Sequence, residues 1–160
     1  MLATRSNFMK IQVKRKCGEC TVCCEGFMSA DIHGHKMHPG RPCFFIDKEN
    51  HKCSIHKDRP KDICEPYQCA WLSNFGGEIP EWMKPNLSGV LITPRNWKGG
   101  TYFIVMEAHK PFDPNILYWI ITFSEERGIP LEIHMGKVIH HRGPKEFQEY
   151  MHEQKRLREK

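Results

Sequence analysis

Eight cysteines lie between Cys17 and Cys69, and four of them crowd into Cys17-Gly-Glu-Cys20-Thr-Val-Cys23-Cys24. Thiolates bind soft metal ions and carry redox chemistry, so this spacing is first a metal-binding signal. A C-x2-C turn brings two sulfurs to one ion and can aim backbone N–H groups at their charge. Adjacent Cys23 and Cys24 depart from that geometry. Neighbouring side chains diverge in extended chain and stand about 100° apart in a helix, so the two are expected to serve different sites. Cys43, Cys53, Cys64 and Cys69 complete the candidate ligands. Eight thiols suffice for two tetrahedral sites, which makes Zn2+ the first expectation. An iron–sulfur cluster is the second, because C-x2-C-x2-C has ferredoxin-type spacing with a remote fourth ligand. That match is partial, since Cys64 is followed by Glu65-Pro66 and not directly by proline.

The elements that must position these thiols are short. Cys43 to Cys53 reads as a hairpin, with apolar Phe44 to Ile46, a polar turn at Lys48 to Asn50 and a return through Cys53, which brings Cys43 and Cys53 together at its base. Arg59-Pro60 imposes an extended step before Cys64 and Cys69, whose separation lets both face one centre if the segment is turned. Glu25 to Arg41 reads as irregular, broken by Gly34, Pro39 and Gly40. It carries His33, His35 and His38, which are additional candidate imidazole ligands, although the thiols alone fill two sites.

The pattern of all eight cysteines, with Cys53-Ser-Ile-His56 and Arg59-Pro60 between them, resembles the CxxCxxCC (YkgJ-type) cysteine-cluster family of zinc- or iron-chelating proteins. The resemblance runs from about residue 17 to 92, through Cys69-Ala-Trp71-Leu72 and Lys84-Pro85-Asn86-Leu87-Ser88-Gly89-Val90. His56 departs from it, since the family usually has tyrosine there. The resemblance implies metal binding by the cysteines. Flagellin lysine methylases carry a similar cysteine motif, which links the pattern to modification enzymes without assigning a reaction.

At 160 residues with 39% hydrophobic content, the chain is sized for one compact unit. No apolar run approaches the ~20 residues of a membrane span, and the polar, basic N-terminus lacks the features of a secretory signal. The expected compartment is the cytosol, where clustered cysteines hold metal instead of disulfides. The formal charge of +5 suits an acidic partner, protein or nucleic acid.

Three regions follow. Residues 1–16 form a basic arm with Arg5, Lys10, Lys14, Arg15 and Lys16, a short strand at Ile11 to Val13, and a charge that stabilises nearby thiolates. Residues 17–71 form the cysteine module. Residues 72–160 form an α+β support predicted as a strand over Leu87 to Thr93, a loop from Pro94 to Gly100 and a strand from Thr101 to Ala108. A central helix over Ile116 to Arg127 follows, capped by Asp113 and stopped by Gly128. Strands at Leu131 to Met135 and Val138 to Ile139 precede a charged helix from Lys145 to Lys160 that docks through Phe147, Tyr150 and Met151. This order predicts an irregular cysteine module on a small, mainly antiparallel sheet with two helices on one face. His134, His140 and His141 read as surface residues of the last hairpin.

No phosphate-binding Gly-rich loop, nucleophile elbow or paired-histidine hydrolase helix occurs. Three classes of function remain: a metal-stabilised module that binds a protein or nucleic acid, an iron–sulfur or iron protein serving electron transfer or a modification enzyme, and a metal-handling protein. A thiol–disulfide oxidoreductase fits less well, because no βαβ frame accompanies the C-x2-C.

Overall fold

The computed structural model describes residues 14–160. In chain order, β1 (Ala30–Ile32) and β2 (His35–Met37) form one small antiparallel hairpin, and β3 (Ile46–Asp47) and β4 (Lys52–Cys53) form another. Short helices α1 (Ala70–Ser73) and α2 (Pro85–Ser88) lead to β5 (Val90–Trp97) and β6 (Gly100–Glu107). The chain ends with α3 (Pro114–Arg127), β7 (Leu131–Met135), β8 (Val138–Arg142) and α4 (Lys145–Arg158). The fold is α+β.

The larger sheet is ordered β5-β6-β7-β8. Its outer pairs are antiparallel, whereas β6 and β7 run parallel and are joined through α3. A parallel pair needs such a long crossover, and a helix supplies it. The expectation of helices on one face is corrected. Along β6, Phe103 and Val105 join the main core with Ile120 and Phe123 of α3, while Tyr102 and Ile104 point to the other face and pack with Phe147 and Met151 of α4. A strand apolar on both sides needs cover on both sides.

Local chemistry explains the boundaries. The Asp113 carboxylate accepts the Asn115 N–H at 2.8 Å, Pro114 occupies the first turn of α3, and Gly128 closes it in the left-handed conformation. In α4, Phe147 and Met151 are one turn apart and are the buried residues of an otherwise charged helix. Two strand limits differ from expectation. Leu87 and Ser88 end α2, and Pro94 lies inside β5 opposite Phe103. Pro94 is tolerated because β5 is an edge strand, where a missing N–H need not break the ladder.

The cysteine-bearing part is built differently. From Lys14 to Gln68 only Val22, Gly26, Ile32 and Met37 are buried. The β1–β2 hairpin falls where irregular chain was expected. Its two-residue turn, His33-Gly34, has positive φ at both positions (50° and 84°), the backbone of a type I′ turn, so the glycine read as a breaker makes the hairpin. Gly26 is required by contact: with φ at +98°, a Cβ there would stand 2.8 Å from the His38 carbonyl oxygen.

Three polar links fasten this part to the sheet. Arg15 donates to the carbonyls of Trp71 (2.6 Å) and Ile79 (2.5 Å), the Tyr67 hydroxyl meets Thr93 Oγ1 at 3.0 Å, and Glu25 pairs with His109. Arg15 is thus a structural staple and not part of a solvated arm. Lys14 and Lys16 are exposed, and the part of the arm with the strand expected at Ile11 to Val13 falls in residues 1–13, outside the described residues.

Candidate metal centre

The dense cysteine run is a pair of tight turns. Gly18 takes a positive φ of 59°, Cys20 N–H donates to the Cys17 carbonyl at 3.0 Å, and Cys24 N–H donates to the Thr21 carbonyl at 2.8 Å as the chain enters the 3-10 turn Val22–Glu25. The sulfurs of Cys23 and Cys24 stand 3.8 Å apart. The second hairpin is tied to this run, because Cys43 N–H donates to the Cys24 carbonyl at 2.8 Å. Cys53 pairs with Ile46 across that hairpin, and the Ile46 N–H donates to the Cys43 carbonyl at 3.2 Å. Cys64 follows the Pro60 turn, its N–H bonded to the Pro60 carbonyl at 2.9 Å. Cys69 caps α1, where its sulfur accepts the Leu72 N–H at 3.5 Å.

The electrostatic neighbourhoods of the thiols form two sets that overlap at Cys24, which acts on Cys17 and Cys23 as well as on Cys43 and Cys64. Burial raises the pKa of Cys17, and the charges of Cys20 and Cys24 add to it. Burial likewise raises Cys69, with Cys17 and Cys20 adding, against the opposing pull of the Leu72 N–H. Cys23 is raised by its hydrogen bond to Cys24, by burial, and by the charges of Cys24, Cys17 and Cys69. These interactions join Cys17, Cys20, Cys23 and Cys69.

Cys43 is raised by burial and by Cys24 and Cys53, and Cys64 by burial and by Cys24, Cys43 and Cys53. These join Cys24, Cys43, Cys53 and Cys64. Cys24 itself is lowered, because the Cys23 thiol donates to it. Cys64 and Cys69 have different electrostatic neighbours, Cys24, Cys43 and Cys53 for the first and Cys17 and Cys20 for the second. Between them the chain passes Glu65-Pro66 and Tyr67, whose hydroxyl is held on Thr93 of β5, and Cys69 is buried in the main core.

The donor chemistry fits a thiophilic ion: all eight cysteines are free, and burial with the charge of neighbouring thiols disfavours the thiolates of Cys17, Cys23, Cys43, Cys64 and Cys69 unless a cation compensates. The groups are open. Among the described residues, no three His, Cys, Asp or Glu side chains stand close enough to hold a metal ion as they are. Cations are built in nearby. Lys84 and Arg15 both lie 5.0 Å from the Trp71 ring centroid, and Lys84 with Arg59 pulls the Cys17 pKa down against the larger effect of burial.

The candidate histidines have other partners. His33 Nε2 meets the Asp58 carbonyl at 3.2 Å, His35 stacks on Phe44, and His38 Nδ1 meets the Pro39 carbonyl at 3.0 Å. His56 lies against Arg59. On the distant hairpin, His140 is exposed as expected, but His134 and His141 are half-buried and hold the buried Glu132 carboxylate at 2.6 and 3.3 Å. In the sequence Arg15 reads as part of the basic arm beside the thiols, but residue type and spacing gave no sign of Lys84 or the Glu25–His109 pair, which spans 84 positions. The one available hint is that Glu25 directly follows Cys24.

No helix among the described residues is long and apolar enough to cross a membrane. No family model matches the chain, and neither a curated protein nor a solved structure matches it.

Proposed function

We propose that this is a metal-binding cysteine-cluster protein whose eight thiols hold two Zn2+ ions, and that the metal-stabilised part acts by binding a macromolecular partner in the cytosol. Cys17, Cys20, Cys23 and Cys69 would hold one ion, and Cys24, Cys43, Cys53 and Cys64 the other. Four-thiolate zinc is closed and redox-silent, so the ions supply folding free energy to a segment that lacks an apolar core.

One observation carries this reading: eight free thiols fall in a stretch that, up to Gln68, buries only Val22, Gly26, Ile32 and Met37. Such a segment needs a cross-link other than hydrophobic packing. The division into fours supports zinc over a single iron–sulfur cluster, which would use four thiols and strand the rest. The test is Cys20→Ser in the full chain. Loss of bound zinc together with protease sensitivity between residues 17 and 69 is expected; full zinc content and unchanged melting would remove Cys20 from the ligand set.

A further inference from the structure

We infer that the paired hairpins form a docking surface for single-stranded nucleic acid, with Phe44 as a base-stacking platform. This rests on the reading above, in which metal holds the hairpins in place and a macromolecular partner is bound.

The observation that prompts it is an aromatic ring presented and not hidden. Phe44 is 68% exposed, although it directly follows Cys43 in a segment short of buried apolar surface. Its ring is nevertheless fixed. It stacks face to face on His35 (centroids 4.0 Å apart, planes at 4°), and Phe45 abuts both rings edge-on at 5.2 and 5.4 Å. His33 closes the group against Phe45 at 5.9 Å. Four rings from two hairpins thus lock one outward-facing π-surface, with its side-chain entropy already lost before any ligand arrives.

The stretch of chain that carries this platform has the sign of charge a phosphate backbone requires. Between residues 33 and 61 the chain carries seven Lys and Arg against three Asp and Glu, so most of the net charge of +5 is concentrated on this stretch. Lys36, Arg41, Lys48, Lys52, Lys57 and Lys61 are all exposed, and among the described residues none makes an ion pair. A tetrathiolate zinc beneath them has a net charge of −2, which leaves the stretch positive. The Lys and Arg that do form ion pairs among the described residues, Arg127, Arg142 and Lys145, all lie outside this stretch.

A fixed aromatic face on a stretch rich in exposed, unpaired cations combines the two features by which proteins hold unpaired bases and their phosphates. A duplex keeps its bases stacked internally and offers the ring nothing to stack on. An acidic peptide would use the cations but not the ring.

The test uses the full chain loaded with zinc, and fluorescein-labelled twelve-nucleotide oligouridine and oligodeoxythymidine, by fluorescence anisotropy. Binding should weaken steeply as salt rises from 50 to 200 mM. Phe44→Ala should weaken it at least five-fold, the low end of one lost stacking contact, and Phe44→Trp should restore it. Lys36→Glu with Lys48→Glu should weaken it further and flatten the salt dependence. Equal uridine and thymidine affinities support a platform for either strand type; where one is preferred, oligodeoxyuridine separates the sugar from the thymine methyl. Zinc content and melting are measured on every variant, so that a Phe44 effect with intact metal is read as loss of the platform. No binding by the zinc-loaded protein, unchanged binding by Phe44→Ala, or tighter binding to a twelve-base-pair duplex would overturn the inference and leave the metal reading standing. Stacking-dependent binding by a protein that holds no metal would do the reverse.

Discussion

Cys23 and Cys24 are covalent neighbours with sulfurs 3.8 Å apart, and the charge of Cys24 acts on Cys17 as well as on Cys43 and Cys64. The proposed division of the thiols into two sets of ligands has its seam at this step. Cys69→Ser and Cys64→Ser should each lower zinc from about two to about one per chain, each sparing the other site. Metal analysis of the two variants checks this. Retention of both ions by either variant would remove that residue from its group.

Arg15 predicts a separation between folding and metal loading. Its guanidinium donates to two main-chain carbonyls and lies over Trp71, all at the junction with the core. Charge-assisted hydrogen bonds of this kind contribute about 1.5–3 kcal/mol each when a partner would be left buried, and solvent reduces this at a half-buried site. Arg15→Ala should lower the melting temperature by several degrees while zinc per chain stays at its wild-type value. Unchanged melting would show that the staple contributes nothing.

Gly26 predicts a backbone effect. An alanine at φ +98° meets the His38 carbonyl oxygen at 2.8 Å, so either the Val22–Glu25 turn or the β1–β2 hairpin must move. Gly26→Ala should destabilise the protein by about 2 kcal/mol or more, visible as a lower chemical denaturation midpoint. A midpoint equal to wild type would contradict the tight approach.

Glu132 predicts a pH dependence. Burial raises its pKa, but hydrogen bonds and charge from His134 and His141 outweigh burial and leave it below the usual glutamate value. A carboxyl lowered on folding adds stability above its unfolded pKa and loses that stability as pH falls through the lower folded value. In urea unfolding from pH 7 to pH 3, Glu132→Gln should therefore lose less stability than wild type below about pH 4.3, the ordinary glutamate value. Any acid release of metal is common to both proteins and cancels in the comparison. Parallel pH curves would show that Glu132 is not held in its charged form by the fold.

The α+β frame was legible where local rules act alone. Asp113-Pro114 and Gly128 bracket α3 by capping chemistry, and Phe147 with Met151 marks the docked side of α4. The hairpin at Cys43 to Cys53 followed from its turn residues. What was not legible depends on tertiary placement. That β6 would pair parallel to β7, exposing both faces of Tyr102 to Val105 to different helices, is not encoded in alternation. Pro94 reads as a breaker unless the strand is known to lie at an edge. His33-Gly34 reads as loop unless both residues are known to take positive φ. Within the candidate site the candidate ligand types follow from spacing, but the division proposed for them does not. Cys64 and Cys69 are close in sequence, and between them Tyr67 is anchored on Thr93, 26 residues further on.

The most direct measurement is elemental analysis, with a visible spectrum, of the full chain purified anaerobically. Two closed zinc sites predict about two zinc ions per chain, no visible absorption, and unfolding of the cysteine-bearing part when a strong chelator removes the metal. A brown protein with iron and acid-labile sulfide, or a metal-free protein whose melting a chelator does not alter, would contradict this prediction.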